Sequence, residues 1–181
     1  MALVDDLKSE VGQIFRSMWD TQKGQLIPEP EALRLDNHSK EFDSATVLYA
    51  DLDGSTSMVD SMSWSVAAEI YKAYLRCAAK IINAEGGTIT AYDGDRIMAI
   101  FLGGKKNTCA VRAARKIHYA VTNIINPGYA TVYTNTPYTV KHVIGIDISE
   151  LRAARIGVRG YNDLVWVGRA ANSTLSDSAS V

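Results

Sequence analysis

Apolar residues recur at helical spacing along the first twenty positions, as Leu3, Val4, Leu7, Val11, Ile14, Phe15, Met18 and Trp19. This pattern predicts an amphipathic helix over residues 1–20. Residues 21–42 are polar, carry Pro28 and Pro30, and read as a linker. The body, residues 43–181, opens with the β-branched run A-T-V-L-Y-A-D at 45–51, a strand that ends on an acid and runs into the turn Gly54-Ser55-Thr56. A helix over 64–85 stops at Gly86-Gly87. T-I-T-A-Y at 88–92, the tight turn Asp93-Gly94 and R-I-M-A-I-F at 96–101 make a hairpin. A second long helix covers 107–125 and ends at Asn126-Pro127-Gly128. Strands follow at 139–148 and about 157–167 with a short helix between them, and a last helix opens near Gly168. The closing S-T-L-S-D-S-A-S-V is small and polar and reads as frayed. The order β-α-β-β-α-β is that of an α+β, ferredoxin-like fold, an antiparallel sheet with helices packed on one face.

Composition narrows the classes. The 181 residues suffice for one domain with an arm. With 19 basic against 20 acidic residues, the chain shows no basic excess or stripe of the kind nucleic-acid binders use. No apolar run approaches the roughly 20 residues that span a bilayer. The acidic start M-A-L-V-D-D-L-K-S-E has no apolar block of a signal peptide. Cys77 and Cys109 sit apart inside helical patterns, which is neither a disulfide framework nor a zinc site. The expectation is a cytoplasmic protein with no direct membrane association.

Acids carry the chemistry. Asp51 and Asp53 close the first strand, while Asp93 and Asp95 sit in the hairpin turn. In this topology the strand and the hairpin are neighbours, so four carboxylates converge on one sheet end. Like charges that close repel unless a cation lies between them. Oxygen donors without histidine or cysteine point to Mg²⁺ or Mn²⁺. Taken singly, Asp53-Gly54 and Asp93-Gly94 are also good turn formers. His38, His118 and His142 show no ligand spacing.

Two families have a strand followed by D-L-D-G-S-T. It resembles the nucleophile motif of haloacid-dehalogenase-like phosphatases, whose last metal acids lie further along a longer, parallel-sheet fold. It also resembles the class III adenylate/guanylate cyclases, and that resemblance runs over about 43–176. Y-A-D-L-D-G-S-T at 49–56 matches their first metal block, G-D-R-I-M-A-I-F at 94–101 their second, and V-W-V-G-R-A-A-N at 165–172 the block that ends in a ribose-orienting Asn. The order and spacing of the three agree. H-V-I-G-I-D-I-S with the following G-V-R-G-Y-N-D-L-V-W-V-G-R-A-A-N resembles a bacterial subgroup that includes the pyrimidine cyclases of Pycsar antiphage systems.

The resemblance implies that Asp51 and Asp95 bridge two divalent ions with the Leu52 carbonyl as a further ligand. It implies that the backbone from Asp53 through Gly54, Ser55 and Thr56 cradles phosphate, and that Asn172 orients the ribose. In the family that Asn comes from the opposite subunit of a homodimer, making composite sites. Four residues beyond it the family has Arg or Lys; here the position is Ser176, which leaves Arg169 or Arg96 as the cation, or a non-catalytic module. The family's purine readers fall on Ala91 and Val165, so that pair is missing, and Tyr49 stands on the same strand face as Asp51. The implied activity is therefore UTP, or else CTP, to the 3′,5′-cyclic monophosphate, a messenger for a separate cyclic-nucleotide-binding effector in antiphage defence. A purine cyclase is the alternative. The hairpin A-Y-D-G-D-R is not the G-G-[DE]-E-F of a diguanylate cyclase.

Overall fold

A computed structural model of the protein describes residues 2–172. The chain forms α1 (Ala2–Arg16), β1 (Asp20–Lys23), β2 (His38–Asp53), α2 (Ser55–Ser61), α3 (Trp64–Ala84), β3 (Thr88–Asp93), β4 (Arg96–Phe101), α4 (Lys106–Ala120), α5 (Asn126–Val132), β5 (Lys141–Val158), β6 (Tyr161–Val167) and α6 (Arg169–Asn172). The α+β, βαββαβ succession read from the sequence is the one observed. Residues divide into two compact units, a larger one of 45–148 and a smaller one of 2–44 with 149–172.

In the larger unit the strand order is β3-β4-β2-β5. The apolar stripe of α3, Ala67, Ile70, Tyr74, Ala78 and Ile82, recurs every three or four residues and is buried. The buried stripe of α4, Ala110, Ala113, Ile117 and Ala120, is made of small residues that let the helices approach. Both pack on one face of the sheet, where Leu48, Ala50, Leu52, Ile97, Ala99 and Phe101 join the core. A hydrogen bond from the buried Thr46 Oγ1 to Asn107 Oδ1, 2.6 Å, ties β2 to the first turn of α4. Gly86, at φ 80°, ends α3. A Cβ on Gly87 would lie 2.6 Å from the Phe101 ring, so only glycine fits where the chain turns under β4.

In the smaller unit β1 pairs in parallel with the start of β2, and β6 pairs antiparallel with the second half of β5. Asn37 donates to the carbonyls of Ile14 and Ser17 and so satisfies the open end of α1. Phe42 and Trp166 pack ring to ring at 6.0 Å.

Several boundaries differ from those the pattern predicts. The first helix ends at Arg16 rather than at residue 20, and 21–42 is no plain linker: β1 lies within it and β2 starts at His38. These strands are polar because they are short or half exposed, so alternation does not flag them. Asn126-Pro127-Gly128 does not end the second long helix. A π turn at 121–125 carries it into α5, where Pro127 takes a first-turn position that needs no N–H donor. The short helix expected between the last two strands is absent, since β5 runs unbroken to Val158. The closing segment lies outside the described residues. Among the described residues no helix is long and apolar enough to cross a membrane.

Glu85, just past α3, is buried and bonds Arg112 Nε at 2.9 Å and Lys116 Nζ at 2.5 Å on α4. The Lys116 bond above all, then the Arg112 charge, holds its carboxyl below the usual range. A carboxyl lowered on folding stabilises fully above its unfolded pKa, and the contribution is lost as pH falls through the folded value. Glu85→Gln should therefore lower the urea midpoint at pH 7, with the gap to wild type closing as the pH drops through the carboxylate range. A gap that persists in acid would exclude the ion pairs as its cause.

Candidate active site

Register builds the site. In the β2–β4 pair, Tyr49 opposes Met98 and Ala50 opposes Ile97, so the next pair along is Asp51 with Arg96. In the β3–β4 pair Ala91 opposes Met98 and Asp93 opposes Arg96, after a bulge between Ile89 and Ala91. Alternation along each strand then puts two rows on the sheet face opposite the helices. One row reads Ala91, Met98, Tyr49; the other reads Asp93, Arg96, Asp51. The β3–β4 turn is Gly94-Asp95, with Gly94 at φ 61° as a tight hairpin of this kind requires.

Asp51 is the electrostatic centre. Burial first, and then the charge of Asp95, hold its carboxyl above the usual range, while Arg96 works against both. Arg96 Nε donates to Asp51 Oδ2 at 3.2 Å. Behind the strand Tyr74, fully buried on α3, donates its hydroxyl to the Asp51 carbonyl at 3.2 Å. Burial raises the Tyr74 phenol far above its ordinary pKa, so it remains a donor. Asp95 Oδ2 is buried and has no hydrogen-bond partner.

An unsatisfied buried carboxylate oxygen beside a second carboxylate is a costly arrangement that a cation relieves. The residues present therefore fit a divalent ion held by oxygen donors, Asp51 and Asp95 with the Leu52 carbonyl as the adjacent backbone acceptor. Among the described residues no three His, Cys, Asp or Glu side chains form a metal cage, so such an ion would take its remaining donors from substrate and water.

The other sequence-predicted residues fall as follows. Tyr49 is half-buried, and burial raises its phenol pKa. Asp53 is exposed at the end of β2. Gly54, at φ 72°, precedes α2, whose first turn holds Ser55 and Thr56. Ala91 and Asp93 are exposed. Val165 (β6), Arg169 and Asn172 (α6) belong to the smaller unit, where Asn172 is exposed. Gly168 opens α6, and a Cβ there would lie 2.4 Å from the Glu150 carbonyl. Ser176 lies outside the described residues. An apolar pocket of about 280 Å³ lined by Ile70, Cys77, Tyr129 and Tyr133 takes in none of these positions. Sequence reasoning missed Tyr74 and Met98. The signal for Tyr74 was there, a tyrosine inside an otherwise apolar helical stripe, whose buried hydroxyl must find a partner.

No protein-family model matches the chain. It is 57% identical over 173 residues, 95% of its length and 75% of the relative's, to a uridylate cyclase of Burkholderia cepacia. The guanylyl cyclase Cya2 superposes with a TM-score of 0.65 at 23% identity, covering 73% of this chain and 66% of that one. A class III adenylyl cyclase-like ATP-binding protein from Pseudomonas aeruginosa superposes with a TM-score of 0.72 at 18% identity, covering 93% of this chain and 38% of that one. With the acid pair at the sheet end and a class III cyclase fold around it, the chain is a nucleotide cyclase that belongs to the uridylate cyclase family.

Proposed function

We propose that the protein converts UTP to 3′,5′-cyclic UMP and diphosphate. The observation that carries this is the row Asp93, Arg96, Asp51 beside a buried, unpartnered Asp95 oxygen, with Tyr49 one step up the same face. Asp51, Asp95 and the Leu52 carbonyl would hold two divalent ions, Mg²⁺ or Mn²⁺. Bound there, the ions supply charge that lowers the pKa of the ribose 3′-hydroxyl and stabilises the leaving diphosphate. In the reaction the 3′-oxygen bonds to the α-phosphorus as the bond to the oxygen bridging toward the β-phosphate breaks. Diphosphate takes that electron pair, and the hydroxyl proton passes to water.

The chain's residues orient this exchange. Tyr74 fixes the Asp51 backbone from behind through its hydrogen bond. The backbone from Asp53 to Thr56, turned by the left-handed Gly54, receives the phosphates. Asn172 aligns the 3′-oxygen from the second subunit of a homodimer, so each dimer has two composite sites. Arg169 or Arg96 supplies the cation that the family's Arg or Lys would give at the position of Ser176.

The base reading rests on the row Ala91, Met98, Tyr49. A methyl stands where purine-reading relatives have Lys, Val165 stands where they have Asp, and Tyr49 fills part of the space. A smaller pyrimidine suits a sheet face with a bulky Tyr49 and no purine-edge readers, with UTP ahead of CTP in line with the relative's name. The product serves as a cytoplasmic messenger for a cyclic-nucleotide-binding effector in antiphage defence.

Three outcomes are expected. Competing the four ribonucleoside triphosphates at equal concentration with Mn²⁺ should give cyclic UMP as the main product by mass spectrometry; dominant cyclic AMP or GMP would exclude the pyrimidine reading alone. Asp51→Ala and Asp95→Ala should each lower turnover by about 10²-fold or more with the fold intact by circular dichroism, whereas Asp53→Ala should matter far less. Mixing Asp51→Ala with Asn172→Ala protein should restore up to about a quarter of wild-type activity, the share of good sites after random subunit exchange. No recovery would place the whole site in one chain.

A further inference from the structure

We propose that Arg96 is a resident counter-cation of the aspartate pair, which releases Asp51 to a divalent ion and turns its guanidinium onto the triphosphate. The inference rests on the metal-dependent reading above and deepens it by giving the arginine two successive partners.

Position comes first. Arg96 stands in the middle of the row Asp93, Arg96, Asp51, so the register sets an aspartate opposite it on each neighbouring strand, and its ion pair is with Asp51. Its bond to Asp51 is single, through Nε alone at 3.2 Å. Among the described residues its two terminal nitrogens have no hydrogen-bond partner. The side chain is 35% exposed against 19% for Asp51, so the free end of the fork reaches toward the open face.

Charge comes second. Arg96 satisfies one carboxylate and leaves Asp95 Oδ2 buried without a partner. A dication between Asp51 and Asp95 brings twice the charge and serves both carboxylates, so it displaces a single half-exposed hydrogen bond. The displaced guanidinium keeps its charge but loses its Asp51 partner, whose charge the dication now offsets. Its planar fork, on the same face as Tyr49, is suited to two phosphate oxygens at once. A lysine has the charge but lacks the fork.

The roles separate in binding measurements that need no turnover. Free Mn²⁺ is followed by electron paramagnetic resonance as it is titrated with wild type, Arg96→Gln, Arg96→Lys and Asp51→Asn, without nucleotide. Removing the competing cation should tighten Mn²⁺ binding in Arg96→Gln by about 3- to 10-fold. Arg96→Lys should stay near wild type, and Asp51→Asn should bind weakly. With Mn²⁺ saturating, inorganic triphosphate and the non-cyclisable 3′-deoxy-UTP should both bind Arg96→Gln about 10-fold more weakly, with Arg96→Lys in between. Mn²⁺ affinity in Arg96→Gln equal to or below wild type, or unchanged triphosphate binding, would overturn the proposal while leaving the cyclase reading intact. If wild type itself takes up no Mn²⁺, the metal reading fails and this proposal with it. A loss confined to 3′-deoxy-UTP would assign Arg96 to the nucleoside and overturn the phosphate role.

Discussion

Two neighbouring carboxylates, of which only Asp51 is paired with a cation, Arg96, set the terms for this structure. Asp51 is pushed toward protonation by burial and by Asp95, and Asp95 keeps an unpartnered oxygen in the interior. Left to themselves such groups would separate or stay in water. They stay because other parts of the fold fix both backbones. Asp51 ends a strand hydrogen-bonded to β4, and its carbonyl is gripped by Tyr74 from the helix layer. Asp95 occupies a two-residue turn whose geometry follows from Gly94. The buried stripes of α3 and α4 and the Glu85 cross-link keep that helix layer in place. Stability in the core thus supports an electrostatic cost at the sheet end, one that the proposed divalent ion would relieve.

The parts of this arrangement legible in the sequence are those whose signal is local. A β-branched run ending in an acid, glycine pairs after a helical stripe and a D-G-D turn between two apolar runs each identify an element within a few residues. The order of those elements gives the fold, and the three motif blocks give the family. The parts not legible depend on partners far along the chain. Thr46 meets Asn107 across 61 positions, and Glu85 meets Lys116 across 31. The pairing of β1 with β2 joins two polar segments with no alternation to betray them. The run through Pro127 was misread because proline stops a helix in its interior but suits its first turn. Asp53 and Asp93 show the converse. Two positions from the key acids in sequence, both are exposed at element ends, whereas Asp51 and Asp95 are half-buried.

On the proposed base reading, the two tasks of holding metal and choosing a base fall to different residues of one sheet face. Because side chains alternate, positions two apart on a strand share a face, and register lines them up with those of the neighbours. The row Asp93, Arg96, Asp51 and the row Ala91, Met98, Tyr49 are therefore adjacent rows of the same three strands. Changing Ala91, Met98 or Tyr49 alters the upper row without moving a backbone atom of the lower one. Selectivity for a base is in this sense separable from the machinery that closes the ring.

That separation has a limit at Tyr49. Its backbone lies two residues from Asp51, its phenol is already half-desolvated, and the Arg96 charge acts on it as well as on Asp51. A substitution there changes the surroundings of the arginine between the two aspartates, and through it the charge balance of the lower row. Ala91 and Met98 have no such link, since neither carries a charge or bonds to one. On the proposed reading, Tyr49 is therefore the one of these three positions where base preference and metal affinity are physically coupled, whereas a change at Ala91 or Met98 touches the acid pair through no charge.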